Sequence, residues 1–414
     1  MTIYTIKGNE NYAAQCVEIT SLIDYPELNN LVGISFAGYV ALVSRNDYVV
    51  GDKVVIFPSE SQLAPDLCEE NNLYSKAELN ADPEAKGYLG KNRRVKAIKL
   101  RGVYSTALAL PASLFGDPPV DIAFDTVDGK EICRKYVPPN TSKPAPFVPK
   151  KERSIEERYF PLHYDTAQFL RNSFKYDPDL PIYVSQKVHG TSVRISRTYR
   201  KRKLYLVDRI AQWFGVPVEE YEIALVAGSR KVTKDPEDAE QSHWYGTDIW
   251  TDAAKRYGGL IPDNHIVYGE LIGWVDEGTP IQKDYTYDLP RGVYRLVVYR
   301  VAAILPDGTQ VEYSDPAMRE FCKHRELDCV RLLNIVYRDS DYSDDILYNM
   351  YVDRRFLDER VSYIEEPIQL SDKGTVDEGV VLRQDGIVPL LTKLKGPVFY
   401  EHETKVLSEE SGDE

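Results

Sequence analysis

The sequence predicts an α+β chain of two folded units, and three observations carry that prediction. Short, partly alternating apolar runs fill residues 1–137, a proline-rich stretch follows, and a longer region mixes strand-like runs with helical ones. The 414 residues exceed one ordinary core, for which about 150 residues is the usual scale.

In the front unit, Val40–Val43, Lys53–Phe57 and Val95–Leu100 read as short strands bounded by the turn formers Asn46-Asp47 and Gly51-Asp52. Several such strands in sequence predict a small β-barrel of the oligonucleotide-binding (OB) kind. Residues 138–151 contain Pro138, Pro139, Pro144, Pro146 and Pro149 with almost nothing to pack, which predicts a stiff linker. The second unit spans 152–401. Its expected elements are a helix over Asp165–Phe174, strands at Ile182–Val188, His265–Leu271, Val293–Ile304 and Gly379–Leu382, and a mostly helical stretch over 315–364. Residues 402–414 read as an acidic, disordered tail.

Composition narrows the class. With 43% hydrophobic and 28% charged residues the chain reads as a soluble globular protein. No apolar run approaches the ~20 residues of a membrane span, and the first residues lack the apolar core of a signal peptide. Cys16, Cys68, Cys133, Cys322 and Cys329 are scattered without a CxxC pair, so neither a disulfide framework nor a zinc knuckle is indicated, and a cytoplasmic setting is expected. A net charge of −14 argues against a non-specific nucleic-acid coat. Two local clusters oppose that average: KNRRVKAIKLR at 91–101 and RISRTYRKRK at 194–203. Arg93, Arg94, Lys96, Arg101, Arg194, Arg197, Arg200, Lys201 and Arg202 are therefore candidate phosphate contacts.

The second unit carries an ordered set of motifs. Lys187-Val188-His189-Gly190 is followed by Gly228-Ser229-Arg230, Tyr268-Gly269-Glu270-Leu271, Asp377-Glu378-Gly379-Val380-Val381 and Lys393-Leu394-Lys395. A lysine that attacks phosphorus must be a neutral amine, so its site has to lower a pKa near ~10.4 by desolvation or nearby positive charge. Lys393 and Lys395 would supply such charge and neutralise phosphates in the transition state. Glu270 and Glu378 are hard oxygen donors of the kind Mg²⁺ or Mn²⁺ prefers, with a ribose hydroxyl as the alternative partner for Glu270. Gly190 would leave space for backbone to approach a nucleotide.

This set resembles the covalent nucleotidyltransferase superfamily of ATP-dependent ligases and messenger-RNA capping enzymes. His189 in KxHG, followed by Thr191-Ser192, is similar to the nick-sealing RNA ligases. Only nineteen residues follow Lys395, so a β-rich unit can only lie in front. That order, with Gly51–Pro58 and Leu100–Pro111, resembles the Deinococcus/Naegleria-type RNA ligases, which join an N-terminal OB domain to a C-terminal nucleotidyltransferase domain of ATP-grasp-like, antiparallel-sheet build. The resemblance covers about residues 1–401.

The resemblance implies that Lys187 is the nucleophile that takes AMP from ATP, with Lys393 and Lys395 on the α-phosphate. It implies nucleotide contacts from Gln186, Val188, His189, Gly190, Glu270 and Glu378, and from Arg230 to the ribose or terminal phosphates. Tyr299 aligns with the adenine-stacking aromatic, with a plain core tyrosine as the other reading. Gln186 stands where glutamate is common, and Arg300 where aspartate usually follows the aromatic. The implied cofactors are ATP and Mg²⁺ or Mn²⁺. The implied partner is nicked or broken RNA, either duplex or RNA/DNA hybrid, with no membrane and a monomeric enzyme. An ATP-dependent DNA ligase, a capping guanylyltransferase and a non-catalytic RNA-binding protein are the alternatives.

Overall fold

The computed structural model describes residues 2–139, 155–234, 236, 248–337 and 377–411. The linker from residue 140 on, and the part of the expected helical stretch beyond 337, lie outside the described residues.

The chain is mixed α/β and mostly sheet. In the front unit the apolar runs become strands, as their alternation predicts. Lys53–Pro58 lies between Ala14–Glu18 and Ala107–Pro111, with Ala123–Phe124 on the far side of Ala14–Glu18, all antiparallel. Tyr39–Ser44 forms a hairpin with Leu31–Phe36, and Ile98–Leu100 pairs with Val103–Ser105. Among the described residues these strands make several small sheets rather than one closed ring.

Two larger sheets build the second unit. The first has the order Ala167–Gln168, Leu390–Leu394, Val380–Gln384, Ile182–Gln186 and Leu332–Val336. The second is built around Tyr221–Gly228, Thr191–Lys201, His265–Gly273 and Tyr294–Ile304. The chain leaves the first sheet at Gln186 and enters the second at Thr191, so Lys187–Gly190 is the bridge between them. Both sheets are antiparallel except for two short strands, Ala167–Gln168 and Asp328–Cys329, which pair in parallel.

Three expectations are corrected. Asp165–Phe174 is not a helix: Gln168 pairs with Lys393, Phe169 N–H donates to the Lys393 carbonyl, and Phe174 is exposed. The edge of the first sheet captures this segment despite its helical spacing. Within the described part of the stretch after 315, helix gives way to strand. Asp315–His324 is a helix, N-capped by the Ser314 hydroxyl, but Asp328–Cys329 and Leu332–Val336 are strands. Residues 402–411 of the expected tail are instead the end of a helix, Pro397–Ser411, packed against the front unit. No described helix is long and apolar enough to cross a membrane.

Candidate active site

The bridge Lys187–Gly190 is fixed at several points. Lys187 N–H donates to the Gly379 carbonyl at 2.9 Å, and His189 N–H donates to the Tyr287 hydroxyl at 2.7 Å. Gln282 donates to the Gly190 carbonyl at 3.0 Å. The His189 ring packs against Tyr285 and Phe399, with centroids 4.6 and 5.4 Å away. At Gly190 a Cβ would lie 2.3 Å from the Leu271 carbonyl oxygen, so this glycine admits the neighbouring strand.

Glu378 is the hub. Its Oε1 lies 2.7 Å from Lys187 Nζ and 3.0 Å from Lys395 Nζ, and its Oε2 lies 3.0 Å from His189 Nδ1. Burial pushes this carboxyl up, but Lys187, Lys395 and His189 together hold it well below the usual carboxylate range. Gly379 shapes the turn that delivers it, at φ +137° with no room for a side chain: a Cβ would sit 1.9 Å from the Leu394 carbonyl oxygen. Gly379→Ala should therefore cost about 3 kcal/mol or more in strain and displacement of the Lys393–Lys395 strand, read as a lower unfolding midpoint together with weaker nucleotide chemistry.

Val381 pairs with Lys393 and Val380 with Leu394, so alternation along Leu390–Leu394 buries Thr392 and Leu394 and leaves Lys393 only partly buried. Burial, then the neighbouring Lys395 and Lys187, pushes the Lys393 ammonium down to about 7. Burial acts in the same direction on Lys395, but Glu403 and Glu378 outweigh it and raise that ammonium above the ordinary lysine range.

Beside this cluster a cavity of about 980 Å³, including its open mouth, is walled by Val188, Val330, Val381 and Leu391 and bordered by Tyr299. That apolar lining suits the base of a nucleotide. Lys187, Arg230 and Glu270 stand at it as polar groups. Burial pushes the Glu270 carboxyl up to about 7 against the pull of Lys187, and its Oε2 has no hydrogen-bond partner among the described residues. Gln186 also borders the cavity and is buried, with its Oε1 unpartnered in the same sense. Burial holds the Tyr299 hydroxyl well above its usual range and drops His163 to about 3, and the two share a hydrogen bond of 2.7 Å between the hydroxyl and His163 Nδ1. Arg230 is half exposed and paired with Asp165. Among the described residues no group of three or more His, Cys, Asp or Glu side chains is placed to hold a metal.

Several predicted residues do other work. Arg300, the departure after Tyr299, is buried between the rings of Tyr164 and Tyr268, at 3.8 and 4.0 Å, with its fork on Glu312. Arg94 and Arg194 are buried and out of reach of a nucleic acid. Arg94 pairs with Glu60, and Arg194 donates to the carbonyls of Phe160, Pro161, Ser229 and Val232. Arg197, Arg200, Lys201 and Arg202 pair with Asp263, Glu222, Glu156 and Asp208. Arg93 donates to the Leu63 carbonyl, Lys96 is half-buried, and Arg101 is exposed. Sequence reasoning missed Tyr285, Tyr287, His163 and Glu403. None belongs to a short motif, and each reaches the site only through the fold.

The RNA ligase family model matches residues 180–395, just over half the chain. No curated protein matches in sequence. Among solved structures, an RNA ligase variant from Naegleria gruberi without ligand aligns over 95% of this chain and 98% of its own, with TM-score 0.59 and 14% identity. A variant of that ligase with ATP and manganese gives 94%, 98%, 0.59 and 14%, and the ligase with pyrophosphate gives 97%, 99%, 0.56 and 14%. At such identity the likeness is one of fold, whereas the family match spans every motif from Lys187 to Lys395. The chain belongs to the RNA ligase family.

Proposed function

We propose that this chain is an ATP-dependent RNA ligase that joins 3′-hydroxyl and 5′-phosphate ends, chiefly at nicks in duplexes, through AMP carried on Lys187. The observation that carries the reading is the convergence of Lys187, Lys395 and His189 on buried Glu378, beside an apolar-walled cavity that Lys187 borders. In the first step the Lys187 amine nitrogen bonds to the α-phosphorus of ATP as the bond to pyrophosphate breaks, and the proton it gives up passes to solvent. AMP then passes to the RNA 5′-phosphate, forming a 5′–5′ pyrophosphate. The neighbouring 3′-hydroxyl finally attacks and AMP leaves. Lys393 and Lys395 neutralise the α-phosphate, and the apolar walls with Tyr299 take the base.

A divalent cation fits the donors present. Glu378 is held ionised and Glu270 has an orphaned buried oxygen, which suits a hard ion completed by phosphate oxygens and water. Such an ion supplies positive charge beside the phosphates. The Naegleria gruberi ligase variants with ATP and manganese support this choice of nucleotide and metal class. We read residues 1–137 as an OB-like module, 138–151 as a linker and 152–401 as the nucleotidyltransferase unit. Exposed Arg101 and half-buried Lys96, with Arg93, Arg197, Arg200, Lys201 and Arg202 exchanging their carboxylate or carbonyl partners for phosphate, would hold RNA.

The reading is tested with radiolabelled ATP or GTP and Mg²⁺ or Mn²⁺. ATP-derived label is expected on the denatured protein and GTP-derived label is not; the reverse would identify a capping-type enzyme. Nicked duplexes ending in a 3′-ribose should be sealed at least about tenfold faster than those ending in deoxyribose, because telling RNA from DNA requires contact with the 2′-hydroxyl. Equal sealing of both would exclude the RNA-specific reading.

A further inference from the structure

The helix Pro397–Ser411 begins two residues after Lys395, and two of its side chains, one turn apart, turn back on the site. Lys395 Nζ sits 4.7 Å from the Phe399 ring centroid and 3.4 Å from Glu403 Oε1. A second row, Tyr400, Thr404 and Ser408, again spaced by four, faces the front unit. Tyr400 stacks on Tyr39, the Thr404 hydroxyl donates to Glu60 at 2.6 Å and accepts from Ala97 N–H at 3.0 Å, and Ser408 accepts from Arg94 at 3.2 Å. One face thus anchors the helix while the other presents Glu403 to Lys395.

Charge balance gives this contact a purpose. Lys187 and Lys395 share one oxygen of Glu378. When Glu378 serves a nucleotide or a cation, Lys395 keeps a carboxylate partner among the described residues only through Glu403. We infer that Glu403 is a positioning residue for adenylylation, holding the Lys395 ammonium in place while Glu378 engages other groups. The inference rests on the reading of Lys395 given above. It draws on a residue outside the span matched by the family model.

Single-turnover labelling of the full-length chain by ATP tests it, with Lys395→Ala as reference. Glu403→Gln should lower the maximal rate about tenfold or more while KM for ATP moves less than about threefold, and Glu403→Asp should recover most of the loss. Thr404→Val removes one anchoring hydroxyl while Tyr400, Ser408 and the Arg94 bond to the Thr404 carbonyl still hold the helix, so it should label at close to the wild-type rate. Wild-type labelling by Glu403→Gln alongside an inactive Lys395→Ala overturns the inference alone. Equal losses in Glu403→Gln and Glu403→Asp would assign Glu403 to packing and also overturn it. Wild-type labelling by Lys395→Ala overturns the reading of Lys395 and the inference with it.

Discussion

Exchange of Lys187 for alanine is expected to abolish transfer of label from ATP to the denatured chain, a fall of at least about 10³-fold. The fold should survive, because the Lys187 side chain has Glu378 as its ion-pair partner, and Glu378 retains Lys395 and His189. Lys187→Arg should be equally inactive: a guanidinium keeps its proton at any workable pH and offers no nucleophilic lone pair. Only the first step uses the Lys187 amine as nucleophile, so Lys187→Ala given a pre-adenylylated 5′ strand should still seal it, within about an order of magnitude of wild type. The contrast separates loss of the nucleophile from loss of the site. Label retained by Lys187→Ala would remove the basis for the lysyl-AMP route.

Those outcomes depend on residues that were legible in the sequence. Lys187, Glu378, Lys393 and Lys395 stood out because their motifs follow in an order that resembles a known superfamily, whose phosphoryl chemistry asks for those residue types. Strand alternation likewise located Ile182–Gln186, His265–Gly273 and Tyr294–Ile304 to within a residue or two. What stayed hidden was set by distant partners. A run such as RISRTYRKRK announces charge but not the acids that meet it, and Asp263, Glu222 and Asp208 arrive from a loop, a strand and a helix. Composition after residue 402 suggested a solvated tail, yet the residues that bind it, Glu60, Arg94 and Ala97, lie more than 300 positions earlier. Asp165–Phe174 had helical spacing, but an open sheet edge offered its backbone better-placed partners.

The largest expected stability effect lies at that long-range contact. Arg94 and Glu60 form a two-pronged pair, Nε to Oε2 at 2.6 Å and Nη2 to Oε1 at 2.8 Å, with side-chain exposures of 0% and 3%. Arg94 also caps the Tyr136 ring at 4.8 Å and donates to the Thr404 carbonyl at 3.0 Å, so one guanidinium joins the front unit to the last helix. Arg94→Ala strands the Glu60 carboxylate in a buried site and should cost about 3–5 kcal/mol. The double variant Arg94→Met with Glu60→Leu removes both charges and should cost less than either single change, since no unpaired ion remains. Thermal or denaturant unfolding of wild type, Arg94→Met, Glu60→Leu and the double variant measures the coupling. Singles that lose under about 1 kcal/mol, or a double no better than their sum, would show the pair to be solvated in solution. The same variants connect stability to chemistry. Phe399 and Glu403 ride on the helix that Arg94 anchors, so Arg94→Ala should also slow Lys187 labelling below its unfolding temperature, and the double variant should restore part of that rate only where it restores the docking of the helix.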